Sequence, residues 1–154
     1  MGLCIKEKEL SLPEKFDIYD ENGNIKYYVV KKIALKQELT IYNLNKECIA
    51  KLKQCSFHSL SSFLVNVAGK EYHLIQKFHM FRTHIHLKEI GWELKGDFTS
   101  HNYEIYNLST QVATIQQKWL SFGNCYYLQC EKSTDDLLAL CIVLAVDTIE
   151  KLRK

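Results

Sequence analysis

The chain has 154 residues, of which 47% are hydrophobic and 25% are charged. These proportions are typical of one soluble domain, and they exclude a disordered tail, a collagen-like repeat and a polytopic membrane protein. Twenty Lys and Arg residues against eighteen Asp and Glu give a net charge of +2, which indicates neither a nucleic acid nor an anionic membrane as the partner. We therefore expect a single domain over residues 1–154.

Short segments rich in β-branched and aromatic residues recur between about residues 3 and 131, and glycine-containing turns separate them. The first of these turns, Asn22-Gly23, is typical of a tight hairpin because both residues tolerate positive φ. This pattern predicts many short antiparallel strands. The clearest strand-like segments are 25–30, 39–42, 63–67, 72–75, 103–106 and 125–128.

Three segments repeat one pattern, in which an apolar residue, a polar residue, Ile, Tyr and Asp or Asn follow one another. They are Phe16–Asp20, Leu39–Asn43 and Tyr103–Asn107, and a few polar residues and a second strand follow each. A hairpin that is repeated along the chain, with no long helical segment between the copies, predicts an antiparallel meander. Such a meander either packs as a sandwich or closes into a barrel.

The C-terminal segment breaks this pattern and predicts a helix over about residues 134–152. Ser133–Asp136 is typical of a capped helix start, and residues 137–146 are apolar on every side. Ten apolar residues are too few to span a bilayer, which takes about 17–25, so we expect the helix to be buried inside the protein. The predicted fold is mainly β: a closed antiparallel barrel of about twelve strands, wrapped around one buried hydrophobic helix. Closure would also remove exposed sheet edges.

Two segments and the apolar helix resemble the LURP-one-related family. The segments are Lys15–Asn24 and Gly96–Tyr106, and the helix ends near Asp147. That family is similar to the Tubby C-terminal domains and the phospholipid scramblases, so the resemblance implies a Tubby C-terminal-like barrel of twelve strands around a central helix. Since Tubby domains bind phosphoinositide headgroups and scramblases act on phospholipids, it also implies a non-enzymatic barrel that binds phospholipid headgroups or other phosphorylated ligands at the membrane surface.

The strongest local candidate for an anion site is the segment 77–88. If residues 82–88 form a strand, alternate side chains share one face and make a basic stripe, and the preceding strand adds two more basic side chains beside it. The alternative interpretation is an ordinary solvated outer face of the barrel. The predicted anion- and lipid-headgroup-binding residues are Lys77, His79, Arg82, His84, His86 and Lys88.

The residues indicate metal binding, catalysis and nucleic-acid binding only weakly. No third metal ligand accompanies His84 and His86 on their strand face, so we expect no metal and no cofactor. Asp97 is interpreted as a turn residue and His101 as a polar loop residue, and we expect no catalytic residues and no enzymatic activity. Trp92 and Trp119 are expected to pack in the barrel and not to stack on bases, and no nucleic-acid partner is predicted.

The six cysteines contain no C-x-x-C pair, and the N-terminus has no apolar run typical of a signal peptide. We therefore expect free thiols and a cytoplasmic protein. The family resemblance and the basic stripe imply that it associates peripherally with a membrane, with an anionic phospholipid or another phosphorylated ligand as its partner. The competing hypothesis is a protein-interaction module that has a protein partner and no lipid role.

Overall fold

The computed structural model describes residues 2–7, 14–32, 35–55, 62–80 and 82–152, apart from the side chains of His79 and Leu152. Over these residues the chain forms twelve strands and one α-helix, which a single turn of 3-10 helix at Ser133–Asp135 precedes. The elements are β1 (Gly2–Lys6), β2 (Lys15–Asp20), β3 (Ile25–Lys32), β4 (Glu38–Tyr42), β5 (Cys48–Gln54), β6 (Phe63–Val67), β7 (Lys70–His79), β8 (Arg82–Leu87), β9 (Trp92–Asp97), β10 (Asn102–Asn107), β11 (Thr110–Leu120), β12 (Gly123–Cys130) and α1 (Asp136–Leu152).

The strands form a closed antiparallel barrel. Each strand pairs with its neighbour in the sequence, and β1 pairs with β12 to complete the ring. Along most strands apolar residues alternate with polar ones, so one row of side chains enters the barrel and the other faces outward. The predicted mainly β barrel with a C-terminal helix is confirmed.

The repeated Ile-Tyr pattern has a structural meaning that the sequence did not predict. In all three hairpins the strand register shifts between the Ile and the Tyr, at Ile18/Tyr19, Ile41/Tyr42 and Ile105/Tyr106. In each case the extra residue of this β-bulge lies in the partner strand, at Lys26, Ile49 and Val112 respectively, and a bulge increases the local twist. The repeat therefore marks three equivalent bends of the barrel wall.

The helix α1 runs through the barrel and fills it. Residues 139–146 are all at most 1% exposed. This agrees with their sequence, which has no polar face that would need to contact water. Inward side chains of the strands surround it, among them Ile18, Leu52, Val65 and Ile105. The helix is thus the core of the protein, as its apolar sequence predicted.

The two ends of the barrel are distinguished by the direction of α1. We call the end at which α1 begins the basal end; it also carries the turns at residues 21–24, 43–47, 68–69, 88–91 and 108–109. The end at which α1 finishes is the apical end. It carries the turns at residues 98–101 and 121–122 and the connection between β7 and β8.

Leu140→Asp should prevent folding, because Leu140 is fully buried in α1 and an unpaired charge would have to enter the barrel. We expect the free energy of unfolding to fall by more than about 4 kcal/mol, measured by circular dichroism and urea denaturation. Leu108→Asp is the matched control, because Leu108 lies in an exposed basal turn. A folded, soluble Leu140→Asp barrel would contradict the central position of the helix.

Candidate functional site

A cleft opens in the barrel wall between β8 and β9 at the apical end. The last register pair between these strands on that side is Ile85 with Leu94, whereas β8 continues to pair with β7 as far as Arg82. The two strands therefore separate toward the apical end, and a cavity of about 480 Å³ lies between them. Its lining comprises Arg82, Thr83, His84, Leu94, Lys95, Gly96, Asp97, Phe98, Thr99 and Glu150.

The cleft passes from the outer surface to the helix. Arg82 and His84 are exposed and belong to the outward row of β8, while Thr83 belongs to the inward row. Glu150 reaches the same cavity from α1 and is only 8% exposed. The exposed part of the lining carries the cations Arg82 and Lys95 together with the Asp97 carboxylate, and the buried part next to the helix carries Glu150.

Lys95 is a further basic residue of the cleft that was absent from the sequence prediction. It lies on the outward row of β9, and its ammonium group is 5.1 Å from the centre of the Tyr106 ring. No local pattern indicates its role, since only the separation of β8 from β9 brings Lys95 to the same opening as Arg82.

The turn that follows β9 closes one side of the cleft. Gly96 has φ +133°, and a Cβ atom placed on it would lie 2.7 Å from the Cα of Tyr103, so the two strands approach too closely for a side chain here. The Asp97 carboxylate accepts hydrogen bonds from the backbone N–H groups of Thr99 and Ser100, at 3.1 Å and 3.2 Å. Hydrogen bonds from Ser100 lower the pKa of Asp97. The interpretation of Asp97 as a turn residue is confirmed.

The same turn buries His101, which was expected to be an ordinary polar loop residue. Its ring stacks on Tyr126 at 4.0 Å, and its Nε2 lies 3.8 Å from the Asp147 carboxylate of α1. Burial lowers the pKa of His101, although the charges of Asp147 and Glu150 act in the opposite direction. The effect of burial is the larger one, because at 3.8 Å the Asp147 carboxylate is too far from Nε2 to stabilise a protonated ring by a hydrogen bond. The end of the helix thus carries a buried polar cluster.

Two lysines complete this cluster at the apical mouth. Lys151 forms an ion pair with Asp147 at 2.9 Å, and Lys31 lies beside both. Burial, together with the positive charge of Lys151, lowers the pKa of Lys31 to about 8. Since β3 lies across the barrel from β8 and β9, these lysines extend the basic surface to the far side of α1.

Part of the predicted basic stripe is assembled at the cleft. Lys77 is the register partner of His84, and the backbone of His79 is the partner of Arg82. Lys77, Arg82 and His84 are all exposed, so three side chains of the stripe lie together on the outer surface. The His79 side chain lies outside the described residues.

The other two predicted residues lie away from this group. His86 is on the same face of β8, but its register partner in β9 is Glu93. Lys88 follows β8 in a basal turn, where its backbone N–H donates to the carbonyl of His73. Lys88 and Arg82 are therefore far apart, because Arg82 begins β8 at the apical end and Lys88 follows β8 at the basal end.

Large apolar side chains project from the apical end next to the cleft. Phe78 and Met80 are 58% and 78% exposed at the end of the β7–β8 hairpin, and Trp119 is 81% exposed on the β11–β12 hairpin. The expectation that both tryptophans pack in the barrel is thus correct for Trp92, which is buried, and wrong for Trp119. Leu35, between β3 and β4, is also exposed at this end.

Both ends carry residues of each sign, but the balance of charge differs between them, a feature that the net charge conceals. We assign a described residue to one end if it lies in a turn, at a helix end or within three residues of a strand end there. By this definition Lys and Arg outnumber Asp and Glu at the apical end, whereas Asp and Glu outnumber Lys and Arg at the basal end. The apical basic residues are Lys6, Lys15, Lys31, Lys32, Lys36, Lys53, Lys77, Arg82, Lys95, Lys118 and Lys151. The basal acidic residues are Asp20, Glu21, Glu47, Glu71, Glu89, Glu93, Glu131, Asp135 and Asp136.

Comparison with known proteins places the chain in a family. The model of the LURP-one-related family matches residues 1–147, almost the whole barrel and helix. The chain belongs to the LURP-one-related family. Its sequence is also similar to that of YxjI, an uncharacterized protein of Bacillus subtilis strain 168, with 22% identity over 149 residues that cover 96% of this chain and 92% of YxjI. No solved structure matches significantly.

Three further properties bear on the chemistry of this family member. Within the described residues, no helix has both the length and the apolar character needed to cross a membrane. No group of three His, Cys, Asp or Glu side chains in the described ranges is placed to hold a metal ion. The six cysteines all lie in the described part of the chain, and no disulfide joins them there.

Replacing Gly96 should distort the wall of the cleft. Gly96→Ala introduces a Cβ that would collide with backbone atoms of β10, and we expect it to destabilise the protein by more than about 3 kcal/mol. Gly123→Ala is the matched control, because Gly123 has a similar φ of +121° with nothing within 4 Å of its Cβ position. Urea denaturation of both variants measures the difference, and equal losses would contradict the close approach at Gly96.

Protonation of His101 should favour unfolding. Because burial lowers the pKa of His101 in the folded state, the unfolded chain binds its proton more readily, and stability falls as the pH drops through about 6.5. His101→Asn removes the titration, and asparagine accepts the positive φ of 54° at this position. Urea denaturation at pH 7.5, 6.5 and 5.5 should give a shallower pH dependence for the variant than for the wild type. A steeper dependence would contradict this direction.

Proposed function

We propose that this protein binds the surface of anionic phospholipid membranes through the apical end of its barrel, and that it acts by binding and not by catalysis. The observation that carries this proposal is the arrangement of apolar side chains at hairpin ends within a ring of basic residues. Phe78, Met80 and Trp119 are exposed at the apical end, while Lys77, Arg82 and Lys118 flank them in the sequence. Exposed apolar residues also occur at the basal end, at Leu44 and Leu108, but Asp and Glu outnumber Lys and Arg there.

Each part of this surface matches one layer of a membrane. Tryptophan is favoured at the boundary between headgroups and acyl chains, where its apolar ring is buried and its N–H stays hydrated. Phenylalanine and methionine add apolar surface that can insert below the headgroups. A lysine or arginine near an anionic leaflet contributes about 1 kcal/mol of attraction. Several such contacts from two hairpins give a reversible, salt-sensitive association.

The cleft supplies a place for a phosphate group within this surface. Arg82 offers a planar set of N–H donors that suits phosphate oxygens, and His84 lies two residues along the same face of β8. Lys77, the partner of His84, adds a third donor beside them. These three residues are the part of the predicted headgroup site that the proposal retains.

The location that fits this function is the cytoplasmic side of a membrane, with peripheral attachment. Six cysteines without a disulfide suit a reducing compartment. Headgroup binding is also what the resemblance to Tubby domains and scramblases implies for a member of this family.

One observation favours the competing function, a protein-interaction module. A groove of about 620 Å³ lies at the basal end on the outer side of β5 and β6, and Ile49, Leu64 and Leu137 contribute apolar surface to it. A partner helix or strand would bury these side chains. A stoichiometric protein partner, recovered together with an absence of vesicle binding, would favour this function over the proposed one.

Vesicle flotation tests the proposed function. The purified protein should float with vesicles that contain phosphatidylglycerol or a phosphoinositide, more strongly at low salt and at pH 6 than at pH 7.5, and not with phosphatidylcholine alone. Arg82→Glu should weaken binding at least about fivefold, since the replaced cation alone contributes ~1 kcal/mol. Lys88→Glu is the matched control, because it makes the same change of charge at the basal end. Equal effects of both variants, or binding that is insensitive to salt, would contradict the proposal.

Fluorescence reports whether the apical end itself enters the membrane. Trp119 is exposed and Trp92 is buried, so vesicle binding should shift the emission of Trp119 to shorter wavelength and leave that of Trp92 unchanged. The shift should disappear in Trp119→Phe, which retains an aromatic ring for binding. Flotation without any shift in the wild type would place the contact on another face of the barrel.

A further inference from the structure

We propose that the cleft between β8 and β9 recognises the phosphoethanolamine headgroup of a glycerophospholipid, with the phosphate at its basic mouth and the primary ammonium group beside Glu150. This inference rests on the proposed function, and it specifies which headgroup the membrane-facing surface selects. It follows from the order of charges along the cleft, from the position of the cleft beside the apolar hairpin ends, and from the chemistry of a buried carboxylate.

The order of charges along the cleft matches the order of charges in this headgroup. The outer lining residues Arg82, His84 and Lys95 are exposed, whereas Glu150 comes from the helix and is almost completely buried. The exposed Asp97 carboxylate also lines the outer part, where its own turn holds it by backbone hydrogen bonds. All three line one cavity. In a phospholipid the phosphate lies next to the glycerol and the amine extends away from it. A headgroup that enters amine first therefore places its cation near Glu150 and its phosphate between Arg82 and His84.

The position of the cleft requires that direction of entry. Phe78 and Met80 lie just before Arg82 in the chain, at the end of the β7–β8 hairpin, and both are exposed. If these side chains reach the acyl chains, the mouth of the cleft faces the phosphates of the leaflet and its inner end lies farther from the bilayer. The lipid then keeps its acyl chains in the membrane while its headgroup occupies the cleft.

A buried carboxylate discriminates among headgroups. Glu150 is unfavourable for a second or third phosphate, because like charges repel strongly where little water screens them. A primary ammonium group supplies three N–H donors to such a carboxylate, whereas a choline group supplies none. Glu150 also interacts within the protein, so the ammonium would share this carboxylate with existing contacts. The volume of about 480 Å³ is within the usual range of small-molecule sites.

Sequence reasoning did not find this site because its two charged parts are distant in the chain. Arg82 and Glu150 are 68 residues apart in the numbering, and they meet only because the apical end of α1 lies behind an opening in the wall. Thr83 and Leu94, from the inward rows of β8 and β9, line the passage between them. The site is thus a product of the closed barrel and its central helix.

Soluble headgroup analogues test the inference directly. Calorimetric titration of the wild type should show at least tenfold tighter binding of O-phosphoethanolamine than of inorganic phosphate or phosphocholine. Glu150→Gln keeps the shape of the side chain and removes its charge, and it should abolish this preference while inorganic phosphate still binds. Arg82→Gln should weaken binding of O-phosphoethanolamine and of inorganic phosphate. Thermal melting of each variant verifies that the barrel is folded.

Vesicles provide a second test that needs no variant. At a fixed fraction of phosphatidylglycerol, replacing phosphatidylcholine by phosphatidylethanolamine should strengthen flotation, and successive N-methylation of the ethanolamine should reverse the gain. Equal binding to both mixtures, together with equal affinity for phosphate and phosphoethanolamine, would overturn the headgroup assignment and leave anionic-membrane binding intact. Failure to bind vesicles of any composition would overturn both the assignment and the proposed function.

Discussion

The whole structure depends on one constraint, namely that α1 is apolar on every side and must be kept from water all round. A single sheet or a second helix covers one face of a helix, whereas a closed barrel covers all of them. The twelve strands satisfy this requirement with one inward row of Leu, Ile, Val and Phe side chains each, and the outward rows remain available for polar residues. Removal of the helix would leave a barrel with an empty centre, so wall and helix stabilise each other.

The same constraint explains why the chemistry of the protein is concentrated at the apical end. The apolar segment of the helix has no charged side chain, and its Cys141 thiol is fully buried. The first buried charged residue of the helix is Asp147. From there Glu150 and Lys151 meet the apical turns, and His101 and Tyr103 are drawn into contact with them. Groups that are buried there have shifted pKa values because they are desolvated at the margin of an apolar core. The basal start of the helix carries a smaller group, in which burial raises the pKa values of Asp136, Cys130 and Tyr27.

Much of the fold could be predicted from the sequence, since its main signals are local. The apolar run at 137–146 predicted the central helix, and the recurring strand segments predicted the barrel around it. The repeat Ile18-Tyr19, Ile41-Tyr42 and Ile105-Tyr106 was visible as a pattern, but its meaning as a bulge depends on the register between strands, which no single segment specifies. The candidate site was predicted only in part for a similar reason. Alternation along β8 correctly placed Arg82 and His84 on one face, but the separation of β8 from β9 and the approach of Glu150 are properties of the assembled barrel.

The division of charge between the two ends gives the molecule an electric dipole along the barrel axis, directed oppositely to the dipole of α1 itself. A protein with a net charge of only +2 is weakly attracted as a whole to any charged surface. Its dipole nevertheless experiences a torque in the field of an anionic leaflet, within a screening distance of about 8–10 Å at physiological ionic strength. The barrel would therefore turn before it touches the membrane, so that most encounters begin with the apical hairpins already facing the lipid. Separating charge along the axis thus improves the geometry of collision without making the protein generally adhesive.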